Sequence, residues 1–470
     1  MVKKGLTSIL VEAPYLIPMD GRRIVKDAAV YVEGDRIVAV GSVKEVRRGV
    51  SRPEHRIQVE KGVILPGLIN LHVHLAQALL RGVVPDNLKL IPWLRDWVWP
   101  LQGVYDEEDG RVSAELCIME MLRGGTTAFL ESLLHQRYGF NGIAEAVRDS
   151  GIRGYLSKSV MDQPGYATEQ GIMHPGMIED ESSLEVFKAM HSRWDGAADG
   201  RIRVWIGLRT PGACSDNLYR EAASLAQELG SGITMHLAEV REDLEYFKSR
   251  GTTPAGFLRS LGLLGRRRVY AHCVWLGEED MRMLASSGSS VAHCPSSNLK
   301  LGSGIAPLLE MRRIGVNVGL GTDGGPSNDT YDMFREIRLA ALLQKGRTLK
   351  PESFSAWDAL EMATVEGARA LGVEEEIGAL KPGMKADLIT LSFNRSGLHP
   401  LSDPVSLLVY SSTGLDVRDV IVDGRLVVED GKVLWMDEEK VMEKAQRRFL
   451  KVLEKSGKLR EVEERWLRRR

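Results

Sequence analysis

One pattern recurs along this sequence and constrains its fold: a short run of apolar and β-branched residues ends in a polar or ionisable residue. The pattern occurs eight times, at residues 64–74, 125–131, 154–162, 202–209, 233–239, 269–273, 290–295 and 316–323. The segments between the runs are long enough for helices, and several, such as 218–229, have apolar residues at helical spacing. Short buried strands that alternate with helices form parallel sheets, so eight units predict an α/β fold, a (β/α)₈ TIM barrel.

The ends of these runs carry residues that can perform chemistry. In a TIM barrel the active site lies at the carboxyl ends of the strands. At those ends the sequence places His72, His74, Glu131, Arg209, His236, Glu239, His272, His293 and Asp323. Together with His135, which lies just beyond the second predicted strand, six of the ten histidines lie at or near the ends of these runs. Histidines that only filled the core would be scattered, so the pattern favours a metal-dependent catalytic centre.

The first run ends in His72 and His74, two residues apart. Side chains at positions i and i+2 of a strand leave the same face, so both imidazoles point the same way. Two converging imidazoles supply half of a tetrahedral zinc site. Taken alone, the pair fits an exposed or hydrogen-bonded arrangement equally well, and the later strand ends decide between the two interpretations.

The composition indicates a globular protein that does not bind nucleic acid or membranes through charge. The chain has 470 residues, 43% of them hydrophobic, which is enough for a large core and more than one domain. Its 62 basic and 64 acidic residues give a net charge of −2, so no overall field attracts it to polyanions.

The cysteines and the N-terminal residues predict a cytoplasmic protein. The four cysteines include no CxxC pair, which is typical of reduced thiols: Cys117, Cys214, Cys273 and Cys294. Residues 1–14 have basic side chains but no long apolar segment, and no stretch of about 18 apolar residues occurs in the chain.

The two ends of the chain have a different pattern from the middle. Residues 1–62 alternate short strands with turns, including a hairpin signal at 33–36, and a similar pattern returns at 381–436. Neither end offers a large core alone, so we expect both to form one small β-sandwich domain beside a catalytic barrel at 63–380. Residues 437–470 mix Glu, Lys and Arg, which predicts a solvated helix with i,i+4 charge pairs.

The motifs together resemble those of the amidohydrolase superfamily, in particular the group of chlorohydrolases, triazine deaminases, guanine-type deaminases and methylthioadenosine/S-adenosylhomocysteine deaminases. The matching segments are Pro-Gly-Leu-Ile-Asn-Leu-His-Val-His at 66–74, His-Leu-Ala-Glu at 236–239, Ala-His-Cys at 271–273, Ser-Asn-Leu-Lys-Leu-Gly-Ser-Gly at 297–304 and Gly-Thr-Asp-Gly at 321–324. Residues 378–388 resemble the segment by which these chains leave the barrel. The resemblance covers nearly the whole chain.

The resemblance implies one divalent metal ion, with zinc favoured and iron as the alternative. Its ligands would be His72, His74, His236 and Asp323. Relatives with two metals use a bridging lysine on the fourth strand, where this chain has Arg209, so a mononuclear site is expected.

Three residues fit catalytic roles in hydrolysis. A zinc or iron ion lowers the pKa of bound water from about 15.7 toward about 7, which supplies hydroxide at neutral pH. Asp323 can accept the proton from that water, and His272 can orient the hydroxide. Glu239 can protonate a ring nitrogen and then the departing amine. The alternative for Glu239 is a surface carboxylate in the first turn of a helix.

Five further residues are predicted to bind the substrate: Gln77, Trp93, Arg209, His293 and Asn298. Gln77 matches a glutamine of the guanine, oxoguanine and triazine branches. Arg209 stands where the nucleoside enzymes have histidine, and Pro92 stands where they have an acidic residue. These features favour an aminated purine, pterin or triazine-like ring, with ribose contributing little. The structural alternatives are that Trp93 belongs to the core and that Arg209 pairs with Glu131.

The sequence therefore predicts a homo-oligomeric, metal-dependent aminohydrolase that deaminates a small aromatic N-heterocycle. Two enzymatic alternatives stay open: an adenosine-type deaminase acting on 5-methylthioadenosine or S-adenosylhomocysteine, and a triazine chlorohydrolase. A third alternative is a scaffold protein that has lost its metal, but such a protein would be expected to lack some of the ligands, which are all present here.

Overall fold

The structure is a computed structural model, and it describes residues 8–166, 173–180 and 183–467. The N-terminal part forms five strands: β1 (Ser8–Leu16), β2 (Val25–Glu33), β3 (Arg36–Ser42), β4 (His55–Gln58) and β5 (Gly62–Pro66). The outer limits of the predicted domains, residues 1 and 470, lie outside the described residues. The hairpin expected at 33–36 is present, because β2 and β3 pair antiparallel with Glu33 opposite Arg36.

The middle of the chain forms a second, curled parallel sheet. Its strands are β6 (Leu68–His74), β7 (Thr126–Glu131), β8 (Arg153–Ser159), β9 (Ile202–Gly207), β10 (Ile233–Leu237), β11 (Arg268–His272), β12 (Ser290–His293), β13 (Asn317–Leu320) and β14 (Asp323–Gly324). From β6 to β13 each strand pairs with the next along the chain. Every one of these pairings is parallel, as the alternation of apolar runs and helical segments predicted.

The eighth predicted run is split between β13 and β14. The first part pairs with β12, and the second part pairs with β6, where Asp323 lies opposite Val73 and Gly324 opposite His74. The two parts therefore stand at opposite ends of the strand order. This arrangement brings the last polar strand end of the sequence beside the first.

Helices connect the strands. They are α1 (Val43–Gly49), α2 (Leu90–Trp93), α3 (Trp99–Gln102), α4 (Glu107–Arg123), α5 (Phe140–Ser150), α6 (Ser183–Trp194), α7 (Asp216–Glu228), α8 (Asp243–Ser249), α9 (Pro254–Ser260), α10 (Glu278–Ser287), α11 (Pro295–Lys300), α12 (Leu308–Ile314), α13 (Gly325–Asn328), α14 (Met333–Thr348), α15 (Ala356–Met362), α16 (Val365–Leu371), α17 (Pro404–Tyr410), α18 (Glu438–Lys455) and α19 (Leu459–Leu467). Among the helices described, none has the length and apolar character needed to cross a bilayer.

The helix predicted at 218–229 is α7. The spacing of apolar residues did not predict where this helix begins. Ser215 precedes the helix and its hydroxyl accepts a hydrogen bond from the backbone N–H of Leu218 at 3.2 Å. This cap satisfies an amide that has no partner inside the helix, so the helix begins two residues before the apolar pattern. The apolar positions, including Tyr219 and Ala222, face the core.

The two ends of the chain, which were predicted to form one β-sandwich domain together, share one sheet. Four C-terminal strands join it: β15 (Leu388–Ser392), β16 (Val417–Val422), β17 (Arg425–Glu429) and β18 (Lys432–Val433). The contact between the ends is antiparallel, between β15 and β5. One face packs around residues such as Val30, Ile64 and Leu388. The protein is thus a mixed α/β fold with a curled parallel sheet and a separate sheet. The division of the second sheet into sandwich layers stays a prediction.

A buried ionic network joins the two sheets. Arg153, at the start of β8, donates two hydrogen bonds to Asp387, at 3.0 and 3.1 Å. Asp423, in the turn between β16 and β17, lies 3.4 Å from both Arg153 and Arg201. All four side chains are buried. Each charge has an opposite partner, which is the condition under which buried charges are tolerated.

The charged C-terminal segment differs from the single solvated helix that was predicted. It forms two helices, and α18 buries one face that includes Val441, Ala445 and Val452. The same face carries Arg448, whose Nε donates to Asp109 at 2.5 Å. The sequence has acidic and basic residues on all sides of α18. Only the packing of α18 against α4 shows which of these charged side chains are buried.

We predict that Asp387→Ala lowers the free energy of unfolding by about 3–5 kcal/mol, because it leaves the buried Arg153 guanidinium without its main partner. The matched control is Asp149→Ala, since Asp149 pairs with Arg148 at a half-exposed position and such pairs contribute about 0–1 kcal/mol. Chemical denaturation of both variants measures the difference. Equal effects of the two substitutions on the free energy of unfolding would contradict the role of Asp387 as the main partner of the buried Arg153.

Candidate metal and catalytic site

Four side chains from three parts of the curled sheet converge at its carboxyl edge. His72 and His74 come from β6, His236 from β10 and Asp323 from β14. The Nε2 atoms of His74 and His236 are 3.3 Å apart. One carboxylate oxygen of Asp323 lies 3.2 Å from His74 Nε2 and 3.5 Å from His72 Nε2. The structure therefore brings together all four predicted ligands.

The protonation and pairing of these groups fit a divalent cation. Burial lowers the pKa of His72 to about 4 and holds that of His236 well below its usual range, so both imidazoles are neutral at pH 7. Within the described residues, neither ring nitrogen of His72 has a hydrogen-bond partner. Buried polar atoms are normally paired, so these nitrogens indicate a missing partner. A set of neutral imidazoles and one carboxylate is a common zinc donor set.

Hydrogen bonds behind these groups fix their orientation. His236 Nδ1–H donates to the carbonyl oxygen of Arg209 at 2.5 Å, which leaves Nε2 free to face the centre. Ser297 donates its hydroxyl proton to the second carboxylate oxygen of Asp323 at 2.5 Å. Burial disfavours the charged form of Asp323, but the adjacent imidazoles of His72 and His74 outweigh it and hold the pKa of Asp323 well below its usual range. Such outer contacts set the ring tautomer and the direction of each ligand.

His272 and Glu239 stand side by side next to this centre. His272 Nδ1–H donates to the amide oxygen of Asn298 at 2.9 Å, and its Nε2 lies 3.7 Å from Glu239 Oε2. Burial, reinforced by the carboxylates of Asp323 and Asp243, raises the pKa of Glu239 well above its usual range. A carboxyl group that keeps its proton at neutral pH can act as a general acid.

The backbone at this edge is strained. Five residues other than glycine have positive φ values where strands end: Arg209 (52°), Ala238 (46°), His272 (70°), Cys273 (50°) and Asp323 (64°). Such conformations cost of order 1–3 kcal/mol each and persist only where the surrounding structure enforces them. They turn the chain sharply after the strands, which explains why the observed strands β9 and β10 end before the predicted runs do.

A cavity opens beside these groups. Its polar side is lined by His74, His236, Glu239, His272 and Asp323. Its remaining wall is mostly apolar and aromatic, with Leu90, Trp93, Leu94, Trp99, Leu133, Tyr138, Tyr166, Met177 and Leu301. A largely apolar pocket with a few converging polar groups suits a small planar ligand.

Three of the five predicted substrate-binding residues line this cavity: Gln77, Trp93 and Arg209. Arg209 is buried, and its Nε and Nη2 have no hydrogen-bond partner among the described residues. Its predicted alternative, pairing with Glu131, is not observed there. Glu131 accepts hydrogen bonds from the backbone amides of Leu75 (2.7 Å) and Leu133 (3.2 Å).

The other two predicted substrate-binding residues lie behind the cavity wall. Asn298 and His293 are buried, and neither belongs to the described lining. Asn298 contacts His272, so it positions that ring. The ring nitrogens of His293 have no hydrogen-bond partner in the described part of the chain. A substrate contact for either residue stays a prediction.

Several residues of the site were given no role from the sequence alone. Glu131 was located at the end of the second strand, and Ser297, which contacts Asp323, lies within the 297–304 motif. Gln102, Tyr138 and Tyr166 had none, since they lie in segments between strands. Strand-end reasoning finds groups at the floor of such a cavity, whereas connecting segments form its walls.

The geometry has counterparts among known proteins. Residues 63–427 match the model of the Amidohydrolase family. This chain belongs to that family. The protein is a hydrolase that acts on carbon–nitrogen bonds other than peptide bonds. The family resemblance read from the five motifs is thereby confirmed.

Similar amidohydrolases are named as deaminases of adenine nucleosides. The 5-methylthioadenosine/S-adenosylhomocysteine deaminase of Pelotomaculum thermopropionicum is 37% identical over 450 residues, which covers 95% of this chain and 99% of the relative. The 5′-deoxyadenosine deaminase of Methanosarcina mazei is 37% identical, with 94% and 98% covered. The crystal structure of an adenosine deaminase from Xanthomonas campestris with bound zinc is 30% identical, covers 94% of this chain and 98% of that one, and has a TM-score of 0.87.

We predict that Asp323→Ala abolishes stoichiometric metal binding and turnover, because it removes the only carboxylate of the four candidate ligands. Asp329→Ala, which removes a carboxylate that pairs with Lys300 nearby, serves as the control and should keep both. Elemental analysis and activity are measured on the same preparations. Full metal content in Asp323→Ala would exclude Asp323 as a ligand.

Proposed function

We propose that this protein is a metal-dependent aminohydrolase that replaces the exocyclic amino group of an adenosine-type nucleoside with oxygen and releases ammonia. The observation that carries the proposal is that two relatives with 37% identity, each covered almost completely, are named for adenine nucleosides altered at the 5′ position. The solved structure named above is also of an adenosine deaminase. This is the adenosine-type alternative that the sequence analysis left open.

The comparisons support this nucleoside alternative better than the free-base substrate favoured by the sequence. That expectation rested on Pro92 and Arg209, which stand where nucleoside enzymes have acidic and histidine side chains. One structural observation still favours a base with a carbonyl edge, which we keep as the second candidate. Arg209 and Gln77 line the cavity, and the Arg209 Nε and Nη2 and the Gln77 Oε1 have no hydrogen-bond partner among the residues that the structure describes.

We further propose that one divalent ion, zinc before iron, is held by His72, His74, His236 and Asp323. The zinc of the Xanthomonas campestris structure supports this assignment. A bound ion of this kind lowers the pKa of a water molecule to about 7. Neutral imidazoles and an ionised carboxylate, as found here, are the protonation states that such an ion requires.

The side chains of this site would then transfer the two protons of the attacking water. Asp323, ionised and held by Ser297, is placed to accept the proton of the attacking water. His272, fixed through Asn298, presents Nε2 to orient that water. Glu239, protonated at neutral pH, gives its proton to a ring nitrogen, takes up the proton of the hydroxyl group added to the ring carbon and transfers it to the departing amine. The proton that Asp323 accepted from the water then returns to Glu239, so that both carboxyl groups end in their starting states. The water oxygen replaces the amino group, and ammonia leaves.

The proposed scaffold is a closed (β/α)₈ barrel at residues 63–380. Its support is that β13 and β14, separated by two residues, pair with β12 and β6 at the two ends of the strand order. The flanking domain would comprise residues 1–62 and 381–436, which share one sheet through β5 and β15. Homo-oligomerisation stays a prediction.

We predict that kcat/KM for 5′-deoxyadenosine, methylthioadenosine or S-adenosylhomocysteine exceeds that for adenine by more than about a hundredfold, equal to roughly 2.7 kcal/mol of transition-state binding. Ammonia release from each nucleoside and its base, together with guanosine and guanine, measures this ratio. A preference for guanine or another oxo-substituted base would support the second candidate and contradict the first.

We predict that Glu239→Gln keeps its metal but loses turnover by a factor of about 10²–10⁴, the usual contribution of a general acid–base group. Glu245→Gln, the same change at an exposed position paired with Lys248, is the control and should retain activity. Loss of metal in Glu239→Gln would instead make Glu239 a ligand.

A further inference from the structure

The two C-terminal helices contact the wall of the catalytic cavity from outside. Helix α18 packs against α4 and against the 3₁₀ helix Leu75–Leu80, which follows directly on His74 and carries Gln77. Helix α19 follows after a short turn and buries Val462 in the main core. The last described part of the chain is therefore packed onto segments that line the cavity.

The segment Leu90–Gln102 is the part of the wall that most needs this support. It supplies Leu90, Trp93, Leu94, Trp99 and Gln102 to the cavity. Its central turn, Leu94–Val98, is a π-helix between the short helices α2 and α3. Single π-helical turns are rare and occur often at functional sites, and contacts from elsewhere in the fold must stabilise them.

Trp97, in this π-helical turn, contacts two cations of the C-terminal segment. Lys458 Nζ is 4.3 Å and Arg465 Cζ is 5.2 Å from the centroid of its ring. Trp97 is only 5% exposed, so both cations act on a ring that is largely shielded from water. Cation–π attraction is stronger when it is shielded in this way.

Each cation also has a second contact that fixes it. Arg465 donates from Nη2 to the backbone carbonyl of Val83, which precedes the segment. Lys458, the residue before α19, lies 2.7 Å from Glu461 in the first turn of that helix, and its charge also acts on Asp96. The C-terminal segment thus binds residues on both sides of α2, at Val83 and at Trp97.

We propose that Lys458 and Arg465 are positioning residues that clamp Trp97 and thereby hold Leu90–Gln102 in the conformation that forms the cavity wall. The clamp sets the affinity for substrate and leaves the proton transfers to Glu239 and Asp323. Its kinetic consequence rests on the proposed function, because it needs a substrate that the protein turns over. Its structural consequence needs no substrate.

The test uses the full chain with its metal. Lys458→Met, Arg465→Met and the double variant remove the cations, and Trp97→Leu removes the ring. Lys458→Arg restores a cation at the same position. Arg460→Met is the matched control. Arg460 lies on α19 with Arg465, pairs with Glu464 and has a side chain that is 90% exposed. Hydrogen exchange of residues 88–103 is measured without substrate, and KM, kcat and metal content are measured separately.

We expect amide exchange in Leu90–Gln102 to accelerate by on the order of tenfold in the double variant, through local opening of this segment. We expect KM to rise about 2- to 30-fold for each cation–π interaction that is removed, with kcat changed less than about twofold and metal content unchanged. Lys458→Arg should behave as the parent protein. Trp97→Leu should add little to the double variant, because both remove the same interaction.

Three results would overturn the proposal: unchanged exchange in the double variant, equal acceleration in Arg460→Met, or an unchanged KM with altered exchange. Failure of the proposed function would look different, since the parent protein itself would then not deaminate adenosine-type nucleosides. In that case the hydrogen-exchange measurement alone tests whether Lys458 and Arg465 hold the Leu90–Gln102 segment. KM is then measured with whichever heterocycle the protein turns over.

Discussion

The contact of Asp323 with His72 and His74 is the interaction on which the site depends. It joins the end of the eighth predicted strand to the end of the first, at the point where β14 lies beside β6. The histidines are two residues apart on one strand and share a face, and the carboxylate reaches them because β14 pairs with that strand. His236 arrives from β10, across the same edge. A flat sheet with the same sequence of strands would leave these groups far apart.

Burial of so many ionisable groups is tolerated because each is held in one protonation state by a neighbour. His72 and His236 stay neutral through desolvation, Asp323 stays charged beside two histidines, and Glu239 keeps its proton through burial beside other carboxylates. These shifts have different causes at positions only a few ångströms apart. The arrangement separates a proton acceptor from a proton donor, which is what hydrolytic removal of an amine requires. Away from the site, the Arg153, Asp387 and Asp423 network pairs buried charges with no such division of roles.

Most of the floor of the site could be predicted from single strands, and most of its walls could not. His72, His74, His236, His272 and Asp323 each follow an apolar run, so one-dimensional spacing locates them. Tyr138, Tyr166 and Gln102 follow no run, and they meet at the cavity only through the packing of connecting segments. The sequence places Asn298 just after the seventh predicted strand, and only the structure shows that its amide oxygen accepts a hydrogen bond from His272. The direction of a side chain after a strand depends on backbone angles, such as the positive φ of His272, that spacing does not encode.

The sequence by itself determined the class of fold, the family and the groups able to hold a metal ion, because short apolar runs and the residues that end them are local properties of the chain. Only the tertiary structure decided which of these groups meet, which proton each one keeps and which surfaces of the charged C-terminal helices are covered. The pKa of Glu239 depends on Asp323 and Asp243, and the environment of Trp97 depends on Lys458 and Arg465, more than 300 residues later. Desolvation and electrostatic interaction act through space, so they follow from the packed arrangement of the chain and not from the order of its residues.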